Sequence, residues 1–246
     1  MRWLACVVCV LVLSGCDVLF PEFAGNSDAA VARDGGVEDG GGEPLIAGVV
    51  CILGDVRDYR TCIAGAPGTL RISVEETRDS TTTDINGRFT LPLSQKLASA
   101  TVGIVDPTNN YNPTVVPIHL TNGGAAAVAL PIVSAQTLQD IELADGLIVD
   151  PTQGIFLGWA VDPSGTPVGG VATGNQAVLY DQSAANSLGP GTHTNNDGTV
   201  ALFNVAPTTL TVTLTPPPTV AVAGDTFTLP IRSGALTAST LVLPPR

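Results

Sequence analysis

Beyond residue 44 the chain alternates apolar and polar positions. From Thr69 to Glu75, Leu70, Ile72 and Val74 share one parity and Arg71, Ser73 and Glu75 the other, which is the period-two signature of a half-buried strand. Thr209 to Thr215 repeats the pattern, with Leu210, Val212 and Leu214 set between threonines. Both segments are expected in antiparallel sheet with one face in water. Asn86-Gly87 and Asp197-Gly198 are dipeptides that accept positive φ at both central turn positions, so they predict type I′ hairpins. Helix is expected only in short pieces near residues 95–98 and 137–143.

These landmarks recur at one spacing. IAGVVC at Ile46 to Cys51 resembles FLGWAV at Phe156 to Val161, with Gly48 and Gly158 offset by 110. TTDINGRFTL at Thr82 to Leu91 resembles TNNDGTVALF at Thr194 to Phe203, with Gly87 and Gly198 offset by 111. A period of that size is a domain rather than a solenoid unit. The pattern predicts two tandem β domains, residues 45–148 and 149–246, with the joint around residues 145–154.

The front of the chain is different. Arg2 precedes an uninterrupted apolar run from Trp3 to Leu13, roughly half of the ~20 residues a spanning helix needs, so residues 1–15 read as a signal-peptide core. From Asp17 to Pro44 the chain is rich in Gly, Ala, Asp and Glu, with a GGVEDGGG core and Phe20 and Phe23 as its aromatics. Such a segment buries no core and reads as a flexible, self-repelling acidic tether.

Composition agrees with the strand reading. Charged residues are only 13% of the chain, while 27 Gly and 19 Pro interrupt helices and the many Val, Thr and Leu favour strands; the fold class expected is all-β. A formal charge of −12 repels phosphate backbones, so nucleic acid is excluded as a partner.

Leu13, Ser14, Gly15 and Cys16 close the apolar run, and this tetrapeptide resembles the lipobox of bacterial lipoproteins. The resemblance implies cleavage before Cys16, a diacylglyceryl thioether on its sulfur and acylation of its new amino group, hence a cell-envelope protein held to the membrane by lipid. Two or more chains anchor stably, at about 0.8 kcal/mol per buried methylene. Asp17 resembles the inner-membrane retention signal of enteric lipoproteins; the rule varies between lineages, so inner and outer membrane both stay open. In that oxidising compartment Cys51 and Cys62, the two cysteines beyond Cys16, suggest a disulfide worth about 2–3 kcal/mol, with two free thiols as the alternative.

Each repeat resembles the carboxypeptidase regulatory-like domain, a transthyretin-like or prealbumin-like antiparallel β-sandwich. The first carries Gly48-Val49-Val50 and then Thr83-Asp84-Ile85-Asn86-Gly87-Arg88-Phe89-Thr90-Leu91. The second carries Gly165-Thr166-Pro167-Val168-Gly169-Gly170 and a shorter match at Asn196-Asp197-Gly198-Thr199-Val200, without the phenylalanine directly after the turn. The resemblance implies an accessory module that stabilises, spaces or binds, and no peptidase chemistry.

The residues themselves offer no catalytic set. The chain has two histidines, His119 and His193, far apart and outside any metal-ligand spacing; His119 is expected to face outward from a strand and His193 to sit in a polar loop. There is no G-x-S-x-G elbow, Ser-x-x-Lys pair or phosphate loop, and Lys96 is the one lysine. Asp84 with Asn86, or Asn195, Asn196 and Asp197, offer oxygens for calcium but lack the further carboxylates of an EF-hand loop, so they read as turns. No cofactor, metal site or catalytic residue is expected. Trp159 is expected in the core. Tyr111, in the polar Asn109 to Pro113 loop, is the candidate ligand-binding aromatic, with Tyr59 and Tyr180 behind it. The reading is a lipid-anchored, non-enzymatic module presenting tandem β-sandwiches to a protein partner, with a glycan as the alternative ligand.

Overall fold

The computed structural model describes residues 44–63, 67–121, 124–175 and 177–246. The leader, Cys16, Asp17 and nearly all of the tether lie outside these. The first part of the described chain holds β1 (Leu45–Leu53), β2 (Cys62–Ile63), β3 (Arg71–Val74), β4 (Ser80–Thr82), β5 (Arg88–Pro92), β6 (Ser99–Val105), β7 (Thr114–His119), β8 (Ala125–Ile132) and the helix α1 (Ala135–Ala144). The second holds β9 (Gly154–Val161), β10 (Ala172–Thr173), β11 (Val178–Asp181), β12 (Leu188–Pro190), β13 (Thr199–Val205), β14 (Thr209–Thr215), β15 (Asp225–Pro230) and β16 (Leu236–Val242). The fold is an all-β sandwich, the class that composition indicated and the architecture that the resemblance implied. The alternating segments are β3 and β14, with Leu70, Ile72, Val74, Val212 and Leu214 buried.

One pairing scheme is used twice. β1 pairs antiparallel with β5 and β9 with β13, placing Gly48 opposite Phe89 and Gly158 opposite Val200. β1 pairs parallel with β8 and β9 with β16, placing Val50 beside Leu130 and Ala160 beside Leu241. β6–β7 and β14–β15 are matching antiparallel pairs, Ile104 with Thr114 and Leu214 with Asp225. The sequence offsets of 110 and 111 are therefore offsets of register.

The repeats are not beads on a tether. Strands pair in a four-stranded sheet (β1, β2, β5, β8), a three-stranded sheet (β10-β14-β15) and a nine-stranded sheet, β12-β11-β13-β9-β16-β7-β6-β3-β4. The last draws on both repeats, and β16 bridges them by pairing parallel with both β9 and β7. A core lies on each face of this sheet. Phe156 and Ala160 of β9 belong to the core shared with β14 and β15, while Leu157 and Trp159, one parity away, belong to the core of the first repeat. β9 is thus buried on both faces, the consequence of period-two geometry in a strand between two layers.

Two local expectations are corrected. Neither Asn86 nor Asp197 has positive φ; only Gly87 (φ 76°) and Gly198 (φ 69°) do, so the turns are not type I′. Neither closes a hairpin: β4 and β5 lie in different sheets, and β11 stands between β12 and β13. The glycines dock on the opening strand of each repeat, accepting Val50 N–H at 2.8 Å and Ala160 N–H at 2.9 Å. An added Cβ would sit 2.5 Å from the Val50 or Ala160 carbonyl oxygen, which is why glycine stands at both. Residues 95–98 are irregular rather than helical. The other helical expectation is α1, capped by Ser134 Oγ accepting Thr137 N–H at 3.0 Å and docked through Leu138 and Ile141. Among the described residues no helix is long and apolar enough to cross a membrane.

Candidate functional site

Cys51 and Cys62 are disulfide-bonded, their Cα atoms 5.2 Å apart, and the bond brackets the loop from Gly54 to Thr61. Its shape is internally fixed: Asp55 N–H donates to Thr61 Oγ1 at 2.9 Å, Thr61 Oγ1 donates to the Asp58 carbonyl at 2.6 Å, and Arg57 N–H donates to Asp55 Oδ1 at 3.0 Å. The loop reaches into the second repeat. Val56, fully buried at its tip, accepts Trp159 Nε1–H at 2.9 Å and donates its own N–H to Asn186 Oδ1 at 2.9 Å. Tyr59 stacks obliquely on Trp159, ring centroids 6.2 Å apart at 48°, worth about 0.5–1.5 kcal/mol beyond burial, and its hydroxyl donates to the Gly165 carbonyl.

Arg57 is the charged centre of this contact. Its Nη1 donates to the Gln182 carbonyl at 2.7 Å, its Nη2 pairs with Asp55 Oδ2 at 2.6 Å, and Asp197 Oδ2 lies 3.7 Å from Nη1. Asp197 is presented by a loop built on the fully buried Asp181 of β11, whose carboxylate accepts the N–H groups of Asn195 at 2.9 Å, Asp197 at 3.1 Å and Thr199 at 3.2 Å. Three amides aimed at one carboxylate are what make its burial tolerable. Burial works against the ionised Asp55, but hydrogen bonds from Arg57 and Asn186 outweigh it and hold the pKa below the ordinary value. Asp197 goes the other way: burial raises its pKa, Arg57 offsets part of this, and Asp181, Asp58 and Asp55 add to the rise.

Around this cluster lies an open groove of 350 Å³ lined by Arg57, Gln182, Ser183, Asn195, Asn196 and Asp197. The lining offers hydrogen-bond donors and acceptors of both kinds and one guanidinium. Such a lining can hydrogen-bond polar groups of a ligand. Sequence reasoning missed Arg57. The available signal was its position between Asp55 and Asp58 inside the cysteine-bracketed loop.

The sequence candidates are placed elsewhere. Tyr111 does not line the groove; it is half-buried and packs against the first core. Its N–H donates to Asp106 Oδ2 at 3.2 Å, within a loop that Asp106 organises by also accepting Thr108 and Asn110 N–H at 2.8 and 2.7 Å, and burial pushes its phenol pKa up. Tyr180 is buried in the second core. His119 is exposed at the end of β7 and His193 in a loop beside Thr192. Asp84 Oδ1 accepts Asn86 and Arg88 N–H, both at 2.8 Å, an Asx turn. Among the described residues no group of three or more His, Cys, Asp and Glu is placed to hold a metal ion.

No family model and no curated protein matches the chain. Similar solved structures include a chain of a type II cohesin–X-dockerin complex from Acetivibrio cellulolyticus, 18% identical over 37% of this chain and 58% of that one, with a TM-score of 0.28. The TIE protein of Bacillus anthracis is 13% identical over 82% of this chain and 34% of that one, TM-score 0.27. A shaft pilin of Lactobacillus rhamnosus GG is 13% identical over 82% of this chain and 99% of the pilin, TM-score 0.26. The chain thus spans about a third to three-fifths of the first two. The likenesses are loose, and the fold rests on the strand pairing of the chain itself.

Proposed function

We propose that this chain is a lipid-anchored protein of the bacterial cell envelope. In this reading Cys16 carries the lipid, residues 16–44 are the tether, and residues 45–148 and 149–246 are two carboxypeptidase regulatory-like sandwiches that present their faces and loops to a protein partner without catalysing a reaction. The observation that supports it is the joint: a disulfide-bracketed loop packs on a fully buried tryptophan of the second repeat, and one sheet draws strands from both repeats, a construction suited to holding a surface in a fixed place. The LSGC box and the acidic tether supply the attachment. In fractionated cells the intact chain is expected to resist salt extraction and to enter detergent; Cys16→Ala is expected to be released, and a Cys16→Ala chain still on the membrane overturns the anchor. In-cell crosslinking with identification of captured proteins tests the partner.

A second reading is supported by the groove. Amide, hydroxyl, carboxylate and guanidinium groups in one concavity suit the hydroxyls of a glycan. Binding to envelope polysaccharide that is lost in Arg57→Ala and kept in Tyr111→Ala favours this reading and moves the ligand site from Tyr111 to the groove.

A further inference from the structure

β7 and β16 begin side by side and then part. Leu236 pairs with Thr114 and Thr237 with Val115, yet β7 continues to His119 and β16 to Val242 with no further pair between them. The register gives the reason. On β16 the Ala235 carbonyl accepts Ile155 N–H at 3.0 Å and Leu243 N–H donates to the Val161 carbonyl at 2.8 Å, so odd-numbered residues bond β9 and even-numbered ones face β7. On β7, Leu120 N–H donates to the Ala98 carbonyl at 2.9 Å and Ile118 lies opposite Ala100, so residues 115, 117 and 119 face β16. The next rung requires an N–H from residue 117 for the carbonyl of the fully buried Ala238. Residue 117 is proline, which has none. The nine-stranded sheet is split beyond this point. Thr240 and Val242 on one side and His119 on the other are exposed and turn backbone donors and acceptors toward the gap, and no turn or loop of the described residues bonds to them.

The open end of the split lies where the N-terminal segment joins the fold. Thr121, two residues beyond His119, exchanges both backbone bonds with Gly124, at 2.8 and 3.0 Å, and a Cβ on Gly124 would sit 2.7 Å from the Leu45 carbonyl. Residues 34–44 separate Leu45 from Asp28-Ala29-Ala30-Val31-Ala32-Arg33, a run without Gly or Pro whose small side chains permit close backbone approach. A Gly-rich connector of that length has an r.m.s. span of about 17–20 Å, comparable with the roughly 13 Å that separates residue 121 from residue 117 along a strand. The run is therefore held near the split at close to the maximal effective concentration.

We propose that residues 29–32 enter the split as an added strand and pair with the open edge of β16 at Thr240. Strand addition supplies from another backbone the N–H that Pro117 withholds. The stand-off between Cys16 and the folded part is then set by residues 17–28 rather than 17–44. This docking does not depend on lipid at Cys16.

The test uses the full chain in the cells that make it, whichever fraction holds it. Ala29→Cys, Ala30→Cys, Val31→Cys and Ala32→Cys are each combined with Thr240→Cys, oxidised and digested without reduction for mass spectrometry; Thr213→Cys, exposed on β14, replaces Thr240→Cys in the controls. Residues of a paired strand share a face at every second position. Links within one chain are therefore expected at one parity of residues 29–32, about tenfold above the controls, while an intact Cys51–Cys62 bond reports folding. Equal linking from all four positions overturns a paired strand, and absence of links overturns the docking. Disulfide-linked dimers overturn the intramolecular occupant, since the segment of a neighbouring molecule would then fill the split. A second readout uses no crosslink: maleimide labelling of Thr240→Cys is expected to speed up about tenfold when Ala29, Ala30, Val31 and Ala32 are all replaced by glycine, and an unchanged rate overturns the proposal.

Discussion

β1 and β9 are the same strand in two settings. Both open a repeat, pair antiparallel with a strand starting at the docked turn and parallel with the last strand of the repeat. Ile46 and Phe156 point into equivalent cores and are both fully buried. On the other parity they diverge: Ala47 and Val49 are half-exposed, whereas Leu157 and Trp159 are 3% and 1% exposed because the first repeat lies against them. The backbone scheme is therefore indifferent to what covers the outer face. Side-chain size on that face is what distinguishes the repeat that docks from the repeat that is docked upon.

The comparison is broken hardest at Trp159. Trp159→Ala removes a large buried side chain, an aromatic contact and a hydrogen bond to the loop, and is expected to lower unfolding free energy by about 3–5 kcal/mol in urea titration. A loss below 1 kcal/mol would mean the joint is not cooperative with the rest. Replacing both Cys51 and Cys62 by alanine frees the loop while leaving every docking side chain present; about 2–3 kcal/mol is expected, together with faster proteolysis between residues 54 and 61. Arg57→Ala leaves Asp55 and Asp197 facing each other across the cluster and is expected to cost about 1–3 kcal/mol.

It also changes the acid response. Because the folded pKa of Asp55 lies below its ordinary 3.8, its contribution is present above that value and is lost as pH falls through the folded pKa. Asp197, raised, acts oppositely: its ionised form costs stability that protonation relieves. In Arg57→Ala the side-chain hydrogen bonds and the charge on Asp55 are lost while the backbone N–H groups of residue 57 and Asn186 still donate to it, so the downward step in acid should shrink and move to higher pH; an unchanged profile would show that the guanidinium is not what holds Asp55 ionised. The smallest effect is expected at the counterpart of Trp159. Val49→Ala, on the uncovered face, should stay within about 1 kcal/mol, and a larger loss would show that something covers that face in solution.

What the sequence showed was what the backbone repeats. The period-two runs at residues 69–75 and 209–215 became β3 and β14, and Gly48, Gly87 and Gly198 marked positions where close backbone approach leaves no room for a side chain, whereas at Gly158 the space is filled by the Phe156 and Leu241 side chains. Trp159 was legible as core, but not as the core of the other repeat, since burial between distant segments leaves no local signature. The turn geometry was misread because Asn-Gly and Asp-Gly suit two conformations, and docking on Val50 and Ala160 selects the one with a single left-handed glycine. Residues 95–98 have helical composition but lie in an irregular stretch between strands, so topology overrides their propensity. Arg57 was hidden for the reason Trp159 was: its partners Gln182 and Asp197 are more than a hundred residues away.

β16 adds a constraint in time. It is the last strand in chain order, yet it supplies the parallel neighbour of β9 and the bridge to β7. A chain emerging from a ribosome or threading a translocation pore holds β1 to β15 before the piece that joins them exists. The β7–β16 bridge of the joint forms only after synthesis has passed Thr237, and until then the loop around Val56 and Tyr59 is what can meet Trp159. The interval before β16 is complete is therefore when this molecule is most exposed to proteases and to pairing with the wrong strand.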